Sequence, residues 1–267
     1  MKLQKVLDAG PGNPIVARLG IGLIDLLQFT TLSEVQVEEM KNCLLGMMHR
    51  LVEAEKAARR VLAELQAIEE QVQGSGLVLQ GQGRVVEVPG AMNLHDAAAF
   101  IVQAKKVLQD AIKVFHAVFG ETFKGAHFHK ALAWAEKTLG AAHPLTALLR
   151  EDQPWIAQLI EMRNEEEHPQ SGKPFIANYD VVRGDDGKLQ LIPPTFFNGL
   201  PVANALKVFS HNLLTFIEEL VVLSLQEKLV PTMGVAEVPE DRRDPKQPVR
   251  FVPVFRGPLR PPGSGSG

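Results

Sequence analysis

Residues 202–228 read VANALKVFSHNLLTFIEELVVLSLQEK. Leu206, Phe209, Leu213, Leu214, Ile217, Leu220 and Val221 recur at steps of three and four, which predicts one helix from Val202 to about Lys228. A helix this apolar is expected at the centre of a packed domain. Upstream, Ser33 and Gln36 have capping-box spacing and open a long amphipathic helix to about Val72. Leu44, Leu45, Met48, Leu51, Val52, Leu62 and Leu65 form its stripe. Asn93 is placed to cap a further helix from Leu94 to about Phe119, with Phe100, Val107, Ala111, Val114 and Val118 on one side. Another covers about Thr122 to Leu139. Pro144 starts a short helix to about Arg150, and Asp152 and Pro154 restart the chain into a helix ending near Pro169.

The expected fold class is therefore all-α: a helical bundle of about five to six helices with two short β-hairpin insertions and a Pro-rich C-terminal tail. Leu77-Val78-Leu79 and Val85-Val86-Glu87-Val88 flank Gly81-Gln82-Gly83, and Pro89-Gly90 ends that hairpin. Phe175 to Val182 and Leu189 to Ile192 flank Gly184-Asp185-Asp186-Gly187, a strong turn sequence, before Pro193 and Pro194. Three blocks result. Residues 1–90 form an N-terminal segment with the long helix and a hairpin. Residues 91–230 form a helical domain with its insertion at 175–192. Residues 231–267 hold eight of the eighteen prolines and no periodicity, so the tail is expected to be extended or disordered. Phe251 to Phe255 is the part of it suited to lie on the domain or a partner. Gly263 to Gly267 reads as an appended linker.

Composition narrows the function classes. Apolar residues make up 45% and charged residues 22%, as in soluble globular proteins. The lone Cys43 leaves no disulfide framework and no thiolate zinc site, which fits a reducing, cytoplasmic setting. Met1-Lys2-Leu3-Gln4-Lys5 lacks a secretory signal pattern. The apolar window Ile15 to Phe29 is interrupted by Arg18 and Asp25, so no membrane association is expected. The net charge is −3. Residues 91–150 carry seven Lys and Arg against four acids, with five of the eight histidines, whereas residues 151–230 carry six against twelve. Phosphate affinity comes mainly from clustered cations. Any nucleic acid would therefore meet the 91–150 surface.

The densest chemistry lies in Met162-Arg163-Asn164-Glu165-Glu166-Glu167-His168-Pro169. Arginine holds a phosphate with a planar fork of donors, and histidine moves protons near neutral pH. Ile156 and Ile160 stand seven and four residues before Arg163, so its guanidinium emerges beside an apolar face. On an unbroken helix His168 would be rotated about 140° from Arg163. Pro169 disfavours helical geometry at the residue before it, which places His168 just off the helix end, with its ring free to fold back toward Arg163. Three glutamates in a last turn oppose the helix dipole by about 0.3–1 kcal/mol each. A purely structural reading pairs Arg163 with Glu167 at i,i+4.

Arg163-Asn164-Glu165-Glu166-Glu167-His168 resembles the signature of HEPN-domain proteins: Arg, a polar residue, a short spacer and His. The resemblance covers about residues 94–228. It implies a compact helical bundle, a homodimer with two motifs across a cleft, and in many members metal-independent ribonuclease activity in toxin–antitoxin or antiviral systems. Other members no longer cut and serve as binding modules for a protein or nucleotide. For a ribonuclease, the resemblance assigns Arg163 to the phosphate and growing negative charge. His168 transfers the proton, and Asn164 orients one of them or contacts the phosphate. The 2′-hydroxyl would attack, leaving a 2′,3′-cyclic phosphate. One histidine cannot be acid and base in the same step, so a second copy would supply the other. RNA, a second copy of the chain and an antitoxin or regulatory protein are the implied partners, with no cofactor and no metal.

Other site readings are weaker. Glu165-x-x-His168 has di-iron spacing, but such sites need a second motif and further glutamates. His116, His127, His129 and His143 lack a supporting carboxylate or thiol pattern. Trp134 and Trp155 read as core anchors, and Cys43 as a buried small residue. There is no phosphate loop, dinucleotide fingerprint or nucleophile elbow.

Overall fold

The computed structural model describes residues 9–80, 85–184 and 187–256. Met1 to Lys5, the turn Gly81-Gln82-Gly83, Asp185 and Asp186 of the second turn, and Gly263 to Gly267 lie outside the described residues. The chain is mostly helical. A π-helical segment, Val16–Gly22, runs directly into α1 (Leu23–Leu27). The other helices are α2 (Glu34–Ser75), α3 (Leu94–Ala111), α4 (Val114–Phe119), α5 (Phe128–Thr138), α6 (Pro144–Glu167) and α7 (Val202–Gln226). Strands pair antiparallel in twos: β1 (Val78–Gln80) with β2 (Val85–Glu87), β3 (Ile176–Ala177) with β6 (Thr195–Phe196), β4 (Asp180–Arg183) with β5 (Leu189–Ile192), and β7 (Met233–Glu237) with β8 (Phe251–Phe255).

The residues form two compact units, each discontinuous in sequence. Unit 1 takes residues 1–49, 110–150 and 216–267, and unit 2 takes residues 50–109 and 151–215. The long helices α2, α3, α6 and α7 each contribute to both. The three sequence blocks therefore do not coincide with the units. Helical periodicity continues through a unit boundary without any change of composition.

In unit 1, the Ser33 hydroxyl accepts the Gln36 amide and the Gln36 side chain accepts the Ser33 amide, at 3.4 and 3.1 Å. This is the reciprocal cap expected for α2. Phe115 and Phe123 each present an edge-on ring to Trp134, which supports the reading of Trp134 as an anchor. Gly120 ends α4 at φ 77°, a conformation in which a side chain would be strained. Glu218 of α7 is fully buried. Arg18 of the π-helical segment donates to its Oε2 from Nε and Nη2 at 2.9 and 2.5 Å. Arg250, just before β8, reaches the same oxygen at 3.5 Å and also Glu219 and Glu237 at 2.6 and 2.8 Å. Burial raises the Glu218 carboxyl above its usual range, and Arg18 and then Arg250 oppose that rise. A Cβ at Gly22 would stand 2.9 Å from the Val249 side chain and 3.3 Å from the Phe251 carbonyl. That position is glycine because the hairpin strand passes so close.

Unit 2 frames the motif. Phe100, Ile101, Ala104, Val107 and Leu108 of α3, Ile156, Leu159 and Met162 of α6, and Leu206, Phe209 and Leu213 of α7 are buried. The N-terminus of α3 is capped from a distance: the Glu64 carboxylate accepts the amides of Met92 and Asn93 at 2.7 and 2.9 Å. Arg60 grips Asp96 with two bonds of 2.6 and 3.0 Å. Asn178 exchanges two hydrogen bonds with the Ala91 backbone. Buried Tyr179 donates to the Leu65 carbonyl at 3.4 Å, its hydroxyl pushed up to about 12 by desolvation and then by Glu69 and Glu64.

Three expectations are corrected. The helix expected from Leu94 to Phe119 is two helices, because Lys113, Phe115 and His116 bond three residues back, to Asp110, Ile112 and Lys113. Such a tight turn keeps the apolar positions inward and so leaves no trace in the periodicity. The expected restart at Asp152 and Pro154 does not occur, since α6 runs unbroken from Pro144 to Glu167. An internal proline costs about 3 kcal/mol. Buried Leu145, Leu149, Ile156, Leu159 and Met162 contribute about 1.5–3 kcal/mol each and outweigh it. Residues 233–255 are extended but not disordered: Met233–Glu237 and Phe251–Phe255 pair as the β7–β8 hairpin, whose Arg250 is tied to Glu218 and Glu219, and Phe251 to Phe255 lies on α1 as the sequence suggested.

By length and composition α7 could span a membrane. However, 56% of its most apolar window is buried inside the protein, as in a core helix.

Arg60 holds the Asp96 carboxyl below its ordinary value of 3.8. A depressed carboxyl contributes stability that is present above the unfolded value and lost as pH falls through the folded one. Asp96→Asn should therefore be less stable than the parent at neutral pH by urea unfolding. The gap should close as pH falls below 3.8; a gap that persists there would contradict the pairing.

Candidate active site

The motif ends α6 within unit 2. Met162 is fully buried, so the register of the last turns is set by packing, and Arg163 and Asn164 emerge on successive 100° steps. Arg163 lies over a partly apolar face, with Ile156 buried and Ile160 half-buried. Its side chain is 19% exposed, and Nη1 is ion-paired with Glu167 Oε2. The i,i+4 pair expected on structural grounds is thus present.

His168 is the first residue after α6. The His168 amide still donates to the Asn164 carbonyl at 2.8 Å, which keeps His168 on the Asn164 line, one turn further along. His168 Nε2 lies 3.9 Å from Glu167 Oε2, the same oxygen that pairs with Arg163. The guanidinium and the imidazole therefore converge on one anionic atom. The imidazole is 74% exposed and open to a substrate.

Asn164 is held from another helix. Its Oδ1 accepts a hydrogen bond from Lys105 Nζ of α3 at 2.8 Å. Lys105 is half-buried between inward-facing Ala104 and Val107–Leu108. Burial lowers its ammonium below the usual range, and the charge of Arg163 lowers it further. Lys105 is the group that sequence reasoning missed. Nothing in a local pattern ties it to a residue fifty-nine positions away.

Two of the three glutamates of the acidic turn, Glu165 and Glu167, have partners. Glu165 Oε1 accepts the amides of Gln170 and Ser171 at 3.0 and 2.8 Å, and Ser171 first among these bonds lowers its carboxyl. That carboxylate is spent on the chain after Pro169. The di-iron spacing with His168 thus has no partner geometry, and among the described residues no group of three or more His, Cys, Asp and Glu is arranged to hold a metal ion. The other candidates are accounted for by local contacts. His116 Nδ1 meets the Thr122 hydroxyl at 3.2 Å, His143 meets Glu227 at 3.2 Å, and His127 and His129 pack ring to ring. Trp155 donates to Asp152 at 2.5 Å and packs on Phe209. Cys43 is half-buried rather than buried, and desolvation raises its thiol.

Chemically, the arrangement offers an anion position between a guanidinium and an exposed imidazole, with a second cation and a carboxamide alongside. The chain matches no family model, no curated protein and no solved structure.

Glu167 fills the anion position from within the helix. Glu167→Gln keeps an acceptor oxygen beside the largely buried Arg163 guanidinium, so stability should fall by no more than about 0.5–1.5 kcal/mol, the scale of one hydrogen bond. It should enlarge the shift of the Arg163 side-chain NMR resonance on adding inorganic phosphate. An unaltered response would mean that Glu167 does not occupy the anion position.

Proposed function

We propose that the protein is a metal-independent endoribonuclease of the HEPN type, acting as a homodimer in the cytoplasm, in toxin–antitoxin or antiviral defence. The observation that supports this reading is the shared Glu167 oxygen: a single anionic atom pairs with Arg163 and lies 3.9 Å from His168 Nε2. A phosphate oxygen arriving there would meet a guanidinium donor and an exposed proton carrier together.

In the proposed reaction His168 accepts the proton of the 2′-hydroxyl. The 2′-oxygen forms a bond to phosphorus while the bond from phosphorus to the 5′-oxygen breaks. His168 of the partner subunit protonates that leaving oxygen. The products are a 2′,3′-cyclic phosphate and a 5′-hydroxyl end. Arg163 stabilises the charge that grows on the non-bridging oxygens, and Asn164 orients Arg163 or His168 or contacts the phosphate. The family reading also carries a finer fold claim: residues 94–228 form its helical bundle, and the hairpin at 175–192 is a lid, a partner surface or decoration.

A second reading keeps the same residues without cleavage: a HEPN-like module that binds a protein or nucleotide. Two observations favour it. Arg163 is already committed to Glu167, and acids outnumber bases two to one in residues 151–230.

The two readings separate in one assay. Purified protein should cut single-stranded RNA in EDTA, and His168→Ala should lower the rate by about 10²–10⁴-fold with an unchanged melting temperature. Cleavage that survives His168→Ala, or that needs Mg²⁺, would refute the mechanism. Binding without cleavage would favour the module.

A further inference from the structure

We infer that Lys105 is a substrate-binding residue: its ammonium takes a phosphate of the RNA on the His168 face of α6 and so completes a two-cation seat with Arg163. The inference rests on the ribonuclease reading and adds to it a residue from outside the motif.

The placement follows from helix register. Asn164 and His168 are four residues apart, and the bond between their backbones keeps that turn helical. Their side chains therefore share a face, with Cβ atoms about 5–6 Å apart. Lys105 Nζ is fixed over that face by its 2.8 Å bond to Asn164 Oδ1. Arg163 lies on the adjoining face, one residue away, and its charge is felt at Lys105. Lys105, Asn164 and His168 thus line one side of the anion position, and Arg163 the other.

The charge balance shows what is missing. Of the nearby carboxylates, Glu165 is held by the amides of Gln170 and Ser171, and Glu167 pairs with Arg163. Among the described residues Lys105 has no ion-pair partner. Its ammonium has three donors, and its one hydrogen bond goes to a neutral carboxamide. Arg163 is compensated by Glu167, whereas the Lys105 ammonium is disfavoured by burial and by the Arg163 charge, so an anion that reaches both cations is favourable. A phosphodiester supplies one negative charge and two non-bridging oxygens, enough to engage both cations. The Asn164 carboxamide positions Lys105, and the exposed imidazole lies at the edge of the same seat.

The test measures binding apart from cleavage. In a His168→Ala background and in EDTA, the affinity for a labelled single-stranded oligoribonucleotide of mixed sequence is followed by fluorescence anisotropy across a salt series. Each phosphate contact adds about 0.7 to the slope of log K against log salt for single strands. Lys105→Met should weaken binding and flatten the slope by about that amount. Lys105→Arg should keep the slope, and Lys246→Met, an exposed lysine outside residues 91–150, should not alter it. Circular dichroism melts of all four proteins confirm folding; if Lys105→Met fails to fold, Lys105→Gln takes its place. A slope unchanged by loss of Lys105, in protein that does bind RNA, would overturn this inference and leave the ribonuclease reading standing. No RNA binding by the parent protein would overturn both.

Discussion

A single backbone hydrogen bond, from the His168 amide to the Asn164 carbonyl at 2.8 Å, determines where the imidazole stands relative to the other candidate groups. It carries the helical register to the last residue before Pro169. His168 is thereby kept on the Asn164 line, and the ion pair of Arg163 and Glu167 stays on the neighbouring one. Had the chain broken one residue earlier, the imidazole would have been free to swing toward Arg163, and the two would have met without an intermediary. Instead they meet through a carboxylate oxygen. Pro169 makes this possible from outside the helix, since it removes only its own donor. Glu165 then receives the next two amides.

That turn is anchored from two directions. Met162 is buried in the core of unit 2, which fixes the rotation of α6 about its axis. Lys105 of α3 holds Asn164 from above. The α3 start is in turn tied down by Glu64, by Arg60 through Asp96, and by Asn178 through Ala91. The hairpin region after the motif therefore contributes to the helix that carries Lys105. Chemistry at the end of α6 depends on polar bonds distributed over four segments of the same unit.

What could be read from the sequence was whatever repeats locally. The stripe of α7, the Ser33 and Gln36 cap, and the Arg163 and Glu167 pair all follow from spacing within a few residues. Pro154 misled because propensity counts the lost bond and the clash but not the five buried side chains that outweigh them. The break at Lys113 changes a hydrogen-bonding pattern without changing which residues face inward. The β7–β8 hairpin rests on Arg250 reaching Glu218 and Glu219, contacts more than thirty residues apart. Proline content gives no sign of them. Lys105 was hidden for the same reason: its meaning is tertiary.

The central claim is that this anion position receives the phosphate of an RNA whose own 2′-hydroxyl attacks it. The most direct measurement compares product ends in EDTA for an all-ribose strand and for the same strand with 2′-deoxyribose at each cleaved position. The account predicts 2′,3′-cyclic phosphate and 5′-hydroxyl ends from the first and no cleavage at the substituted positions of the second. Cleavage of the deoxy-substituted strand at those positions, or 5′-phosphate ends, would contradict it.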